Sequence, residues 1–327
     1  MSLRIAVLMD PIERTYPGET THYIARELHR RGHELFYFTP SELAYESPSV
    51  TATVRAVTYT SEIPHSDLPP ARGVDLGVSL GEPSMIDLAT MDVVLMRQDP
   101  PFDATYLAAT YVLEALVPNT LVVNDPSTVR ATAEKLSLVH FPELAPPTLV
   151  TADRARLTAF RERHGDIVIK QLFGKSGDGL FFVRRGDKNW NALVELIEAG
   201  RTPIMAQKYF DAPSKKVVVV DGVVRGALQI ELEPDDIRGN LDRGKAVHRA
   251  ELTSDEAAAA ERVARFLGER GILFGVVDLL GPYVIETNVT SPGIVFYYNA
   301  SHPERLERVI VDAIERTSAE TSEARRR

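Results

Sequence analysis

Apolar residues in this chain fall into short unbroken runs separated by stretches with helical spacing. The first run, L-R-I-A-V-L-M up to Met9, is cut off by Asp10 and reads as a strand buried on both faces, as parallel sheets require. Between Thr20 and Arg31 the residues Ile24, Ala25 and Leu28 sit one helical turn apart, and Gly32 stands where a helix stops. Strands follow at 34–38, 92–96 and 120–123, with a helix predicted over about 105–115 between the last two. That alternation predicts a doubly wound α/β unit. From 40 to 91 scattered Pro, Ser and Thr blur the pattern, and only a strand near 54–59 is expected.

A second unit begins near Asn124, where N-D-P-S starts a helix predicted to reach about Ser137. P-P-T-L-V-T reads as a strand, followed by a helix over 153–164 and a strong strand at 166–172. A glycine-bearing loop, F-G-K-S-G-D-G, then leads to L-F-F-V, which together predict a hairpin-like lid with a flexible tip. Further strands are expected at 204–209, 216–220 and 223–230, the last two joined by a turn at Asp221-Gly222. Thr253 and Glu256 form a capping box for a helix to about Arg270. Strands at 273–280 and 283–288, turned at Gly281-Pro282, precede a last helix over 303–317. No internal repeat is visible.

Composition narrows the class. With 327 residues, 44% apolar and 25% charged, the chain suits two or three packed subdomains. No window approaches the roughly 18 to 20 apolar residues of a membrane-spanning helix. The first apolar run is too short for a secretory signal, so a cytoplasmic protein is expected, with no membrane partner. The absence of cysteine excludes disulfides, thiolate zinc sites and cysteine nucleophiles, leaving oxygen and nitrogen as the available ligands. A net charge of -9, from 37 basic and 46 acidic residues, argues against nucleic acid as a partner. Arg325, Arg326 and Arg327 read as a frayed, solvated tail.

Motifs remove further classes. D-P-I-E-R after the first strand has no glycine triplet for a dinucleotide, and neither G-x-x-x-x-G-K-[ST], G-x-S-x-G nor H-E-x-x-H occurs. The eight histidines are dispersed. Phosphoryl chemistry with Mg²⁺ and lysines remains. In D-L-L-G-P-Y-V-I-E-T-N the turn folds Asp278 back toward Glu286 and Asn288, which lie two apart on one sheet face. Three hard oxygen donors suit Mg²⁺, although ordinary polar residues at a strand end would give the same spacing. Lys170 interrupts the apolar run I-V-I-K-Q-L, where an amine is costly unless it faces a cleft and an anion. The loop after it, with Gly174, Gly177 and Gly179, either closes over phosphates or is a ligand-free hairpin tip. Lys135 by itself fits a favourable interaction with a helix dipole equally well.

Taken together, M-D-P-I near the N-terminus, M-R-Q-D-P-P-F-D at 96–103, V-N-D-P-S-T-V-R with E-K-L at 134–136, I-V-I-K at 167–170, M-A-Q-K-Y-F at 205–210, R-G-N at 238–240 and E-T-N-V-T-S-P at 286–292 resemble the bacterial glutathione synthetases, ATP-grasp ligases. The motifs run in family order from about Arg4 to Glu315. The resemblance implies an α/β ATP-grasp fold: an N-terminal doubly wound (pre-ATP-grasp) subdomain over 1–123, a small α+β lid over 124–207 and a C-terminal α+β subdomain over 208–327. It implies that Lys135 and Lys170 contact ATP phosphates, with Gly174 and Gly177 in the lid loop, and that Gln207, Lys208, Tyr209 and Phe210 form the strand that meets adenine. Asp278, Glu286 and Asn288 would hold Mg²⁺, with Mn²⁺ a possible substitute. Arg238, Asn240 and Lys216 would face phosphoryl transfer, and Thr290, Ser291 and Gly293 the peptide. The implied partners are small molecules, a γ-glutamyl dipeptide and an amino acid, and the implied assembly is a homo-oligomer.

The chain departs from the family pattern on the substrate side. Gln229 and Lys216 stand where the family has arginines, the lid loop lacks D-G-x-G-G, and the double glycine after R-G-N becomes Gly244-Lys245. An Arg-to-Gln change removes a charge and a forked donor. The reaction the resemblance implies is glutathione synthesis from γ-glutamylcysteine and glycine, and the departures leave two alternatives: an ATP-grasp ligase for another acyl or amine substrate, or a non-catalytic ATP-binding protein.

Overall fold

The computed structural model describes residues 2–60, 77–132, 134–173, 177, 179–200, 202–232, 237–239, 241 and 246–326, apart from the side chains of 198 and 199. The first sheet contains β1 (Arg4–Leu8), β2 (Glu34–Phe38), β3 (Leu43–Glu46), β4 (Ser49–Tyr59), β5 (Val78–Leu80), β6 (Ser84–Asp87), β7 (Val93–Met96) and β8 (Leu121–Val123). β2, β1, β7 and β8 are parallel neighbours in that order. β4 adds antiparallel to β2 and itself pairs with β3, β5 and β6, three short strands that the Pro- and Ser-rich sequence had hidden.

The unbroken apolar run of β1 is needed on both sides. Ile5 and Val7 pack with Ile24, Ala25 and Leu28 of α1 (Thr20–Arg30), whereas Ala6 and Leu8 pack with Tyr106, Ala109 and Leu113 of α2 (Ala104–Glu114). The chain leaves β1 for β2 on one side and later enters β7 on the other. Ligand crevices form at the carboxyl ends of strands around such a switch point. Asp10 and Arg97 to Asp99 follow those ends, where the Asp99 N–H donates to Asp10 Oδ2 at 2.9 Å.

α3 (Pro126–Ala131) starts as the sequence predicts, with Asp125 Oδ1 accepting from the Thr128 N–H. It ends six residues early. Thr132 Oγ1 donates back to the Thr128 carbonyl at 2.7 Å, a bond that weakens helix continuation, and Glu134 turns to φ +21. The chain resumes as a 3₁₀ turn over Glu134–His140, so Lys135 sits on a turn and not in a long helix.

The second sheet has the antiparallel order β11-β10-β12-β9, built from β9 (Thr148–Thr151), β10 (Ile167–Gln171), β11 (Phe181–Val183) and β12 (Ile204–Lys208). α4 (Arg154–His164) and α5 (Trp190–Gly200) cover one face through Leu157, Phe160, Trp190 and Val194, packed on Ile167, Ile169, Ile204 and Ala206. The alternate residues Val168, Lys170 and Gln207 therefore look the other way.

The third sheet is antiparallel in the order β15-β14-β13-β16-β17. It contains β13 (Ser214–Val220), β14 (Val223–Glu231), β15 (Ala246–Ala250), β16 (Phe274–Leu280) and β17 (Tyr283–Asn288). Asp221 and Gly222 both have positive φ, 53° and 70°, as the expected two-residue hairpin turn requires. α6 (Ser254–Gly268) begins with the predicted Thr253–Glu256 capping box and packs on the Val217 and Val219 face. α7 (Val295–Ser301) and α8 (Leu306–Arg326) pack on the Val218 and Val220 face. α8 runs past 317, so Arg325 and Arg326 end a helix, where cations favour its dipole, and do not form a frayed tail.

One buried side chain joins the first sheet to the third. Asn124 Nδ2 donates to the Phe274 and Val289 carbonyls, both at 2.7 Å, and its Oδ1 accepts from the Leu273 and Phe274 N–H groups.

Candidate active site

A cavity of about 550 Å³ opens where the three sheets meet. Its floor is a row of charged residues in register across three adjacent strands. Lys216 of β13 lies opposite Asp278 of β16, and Asp278 lies opposite Glu286 of β17. Asn288 continues the row two residues on, opposite Val276. Lys216 Nζ is 2.6 Å from Asp278 Oδ2, and Lys135 Nζ on the 3₁₀ turn is 3.7 Å from Glu286 Oε2. Asp278 Oδ1 is buried and has no hydrogen-bond partner. Burial, aided by the Glu286 charge, pushes the Asp278 carboxyl upward, and Lys216 opposes the shift.

The second sheet forms the roof. Lys170, 8% exposed, donates from Nζ to Gln207 Oε1 at 2.8 Å. Gln207 Nε2 donates to Thr148 Oγ1, whose hydroxyl donates to the Pro146 carbonyl. Gln207 is thus a clamp on the lysine amine. Tyr209 packs against Phe182 with ring centres 4.5 Å apart, Phe210 packs against Tyr283 at 4.8 Å, both pairs tilted, and the Lys208 amine lies 4.9 Å from the centre of the Phe210 ring. Gly177 lines the cavity with φ +68, a conformation that other residues rarely adopt. Gly174 and Asn240, singled out in the sequence, lie outside the described residues, as do Gly244 and Lys245.

The first sheet closes the third side. Arg97 is buried at the end of β7; its Nε donates to Thr21 Oγ1 at 3.2 Å and its Nη2 to the Pro292 carbonyl at 3.4 Å. Burial lowers its guanidinium to about 10. Thr20 Oγ1 accepts from the Ile294 and Val295 N–H groups, and Ser291 Oγ donates to Asp99 Oδ1 at 2.5 Å. The segment from Thr290 to Gly293 is thereby fastened to the carboxyl ends of β1 and β7. Arg238 also lines the cavity.

Sequence reasoning overlooked Glu134. Its carboxylate accepts from Thr290 Oγ1 at 2.8 Å, and burial together with the Glu286 charge pushes it up to about 7. The signal was its place beside Lys135 in E-K-L. Arg97, Asp99, Thr20 and Thr21 were also unassigned, the first two within a quoted motif. Gln229 is a correction. It lies opposite Lys215, whose amine meets Glu256 on the α6 side, so Gln229 points away from the row that carries Lys216 and does not line the cavity.

Comparison with known proteins places the chain in a family. The model for the prokaryotic glutathione synthetase N-terminal domain matches residues 3–130, and that for the prokaryotic glutathione synthetase ATP-grasp domain matches 134–301. The chain belongs to the prokaryotic glutathione synthetase family. Glutathione synthetase of Brucella melitensis is 38% identical over 297 residues, covering 89% of this chain and 92% of the relative. The Salmonella typhi enzyme of that name is 36% identical over 320 residues, covering 96% and 98%. Among solved structures, the ATP-grasp ligase PsnB with a minimal precursor superposes with a TM-score of 0.63 at 17% identity, covering 96% of this chain and all of the other. D-cycloserine synthetase DcsG gives 0.63 at 16%, covering 96% and 99%. The likeness to PsnB and the family model show the ATP-grasp fold expected from the sequence, and the family is one of ATP-using ligases that form a peptide bond. Among the described residues no helix is long and apolar enough to cross a membrane.

Proposed function

We propose that this protein joins γ-glutamylcysteine to glycine at the expense of ATP. The substrate carboxylate attacks the γ-phosphorus, ADP leaves, and the glycine amine then attacks the acyl carbon of the resulting acyl phosphate. Phosphate departs with the former carboxylate oxygen, and the amine gives up a proton. The observation that carries the reading is the in-register row Lys216, Asp278 and Glu286 beneath Lys170 and Lys135, with a family match over both halves of the chain.

The donor set fits Mg²⁺. Asp278 Oδ1 is a buried acceptor without a partner, and Glu286 and the Asn288 amide add oxygens from the same face. Among the described residues no group of three or more carboxylates and histidines could cage an ion alone. A hard cation that completes its shell with water and phosphate oxygens suits such a site. Bound there, it would neutralise charge on the transferring phosphoryl group.

The chain's own residues do the remaining work. Lys135 and Lys170 supply cations for the nucleotide phosphates, Lys170 held in place by Gln207. The segment from Gln207 to Phe210, the end of β12 and the two residues after it, borders the adenine end, with tilted aromatic contacts fixing its shape. Arg238 faces the phosphoryl-transfer region, and Thr290, Ser291 and Gly293 line the peptide side, anchored by Glu134, Asp99 and Thr20. Enclosure between sheets keeps water from the acyl phosphate. Phosphate release measured with ATP and Mg²⁺ across a panel of γ-glutamyl dipeptides and amino acids tests the reading. γ-Glutamylcysteine plus glycine should give the highest rate. A higher rate with another acyl and amine pair, which the Lys216 departure favours, would move the assignment to a different ligase.

A further inference from the structure

Every carboxylate of the cavity floor is already matched by an ammonium. Lys216 holds Asp278 at 2.6 Å and Lys135 stands 3.7 Å from Glu286, so the floor is close to neutral without any ligand. The Lys216–Asp278 pair is enclosed, with side chains 12% and 15% exposed. A divalent ion arriving alone at the open Oδ1 would share Asp278 with the Lys216 ammonium and sit beside two ammonium groups, in a setting where like charges repel strongly. A metal–nucleotide complex brings its own phosphate anions, which give both ammonium groups a new partner.

We propose that Lys216 is a tethered counter-cation that neutralises Asp278 through Oδ2 and so opens the remaining Oδ1 only to a metal accompanied by nucleotide phosphates. The proposal rests on the metal reading of Asp278 given above. Lysine suits this role, because a compact ammonium meets one carboxylate oxygen and leaves Oδ1 without a partner, whereas the forked guanidinium of an arginine would engage both oxygens. Any turn of the ammonium toward the arriving phosphates is limited by its flexible stem, so it stays in the cavity wall as a cation for the acyl carboxylate. Metal and nucleotide then enter together, and the bare ion binds poorly.

The probe is Mn²⁺ alone, titrated into the nucleotide-free full chain and followed by electron paramagnetic resonance of the free ion. Lys216→Met should bind Mn²⁺ at least about tenfold more tightly than the wild type, the scale of one charge-assisted contact. Lys216→Arg should remain weak, and Lys216→Met combined with Asp278→Asn should lose the gain. Lys216→Gln, which keeps a donor without the charge, serves if the methionine variant does not fold. Unchanged or weaker Mn²⁺ binding in the folded neutral variants overturns the proposal. Titration of ADP with Mn²⁺ separates the two readings. If Asp278→Asn binds that complex as the wild type does, the metal reading itself fails. If it loses the complex while Lys216→Met gains nothing for bare Mn²⁺, the counter-cation alone fails.

Discussion

Replacing Lys170 with methionine separates the anion-binding role of this amine from any structural one. The ammonium is buried, its nitrogen meets an amide oxygen of Gln207 at 2.8 Å, and among the described residues no carboxylate contacts it. Burial pushes its pKa down, while the more distant Glu286 and Asp278 charges oppose the shift. A cation so placed gains most when a phosphate arrives. One charge-assisted hydrogen bond contributes about 1.5–3 kcal/mol. Lys170→Met should therefore weaken ADP binding roughly 10- to 150-fold. The stability change is small, because removing a desolvated charge offsets the cost of about 1 kcal/mol for leaving Gln207 Oε1 without its donor. Isothermal titration with ADP and excess Mg²⁺, beside thermal melts of the ligand-free protein, reads both quantities. A dissociation constant within about twofold of wild type, or a collapsed melting temperature with unchanged affinity, would refute the reasoning.

Other variants probe separate parts of the structure. The Glu134 carboxyl titrates near 7 in the native state against an ordinary value of 4.5, so the folded protein binds more protons than the unfolded chain between those values and loses stability as pH rises through them. Glu134→Gln keeps an oxygen for Thr290 and removes that slope; thermal melts should match wild type near the lower value and lie above it at about pH 8, and parallel profiles would contradict the shift. Glu256→Ala strands the buried Lys215 amine, now 2.7 Å from its partner, and removes a capping box, so it should cost about 3–5 kcal/mol by urea unfolding, with a loss below about 1 kcal/mol speaking against it. Gly268→Ala would set a Cβ 2.6 Å from Gly222 Cα and should cost about 1–3 kcal/mol in the same assay, because backbone and not a flexible side chain lies in the way.

Local chemistry was legible in the sequence and long-range placement was not. D-L-L-G-P-Y-V-I-E-T-N brings Asp278 opposite Glu286 because a tight turn fixes the register over a few residues. Lys170 was readable from a charge set into an apolar strand. α5 was readable too, since Trp190, Leu193, Val194 and Ile197 repeat at helical spacing, but neighbouring strand signals masked it. V-F-Y-Y of α7 favours a strand locally, and packing against α8 and β14 overrides that preference. Gln229 shows the limit most plainly. One residue of strand parity decides whether a side chain faces the row that carries Lys216 or the opposite side of the sheet, and only the pairing with Lys215 reveals which. Glu134, Arg97 and Thr20 reach the cavity through the topology of three sheets, information that no short window holds.

The central claim is that a substrate carboxylate is activated as an acyl phosphate. γ-Glutamylcysteine labelled with ¹⁸O in its cysteinyl carboxylate, incubated with ATP, Mg²⁺ and glycine, tests it most directly by mass spectrometry of both products. The account predicts glutathione retaining one labelled oxygen and inorganic phosphate carrying the other. Glutathione formed with unlabelled phosphate would contradict the acyl-phosphate route, and no glutathione from a folded protein that binds ATP would contradict the proposed substrates.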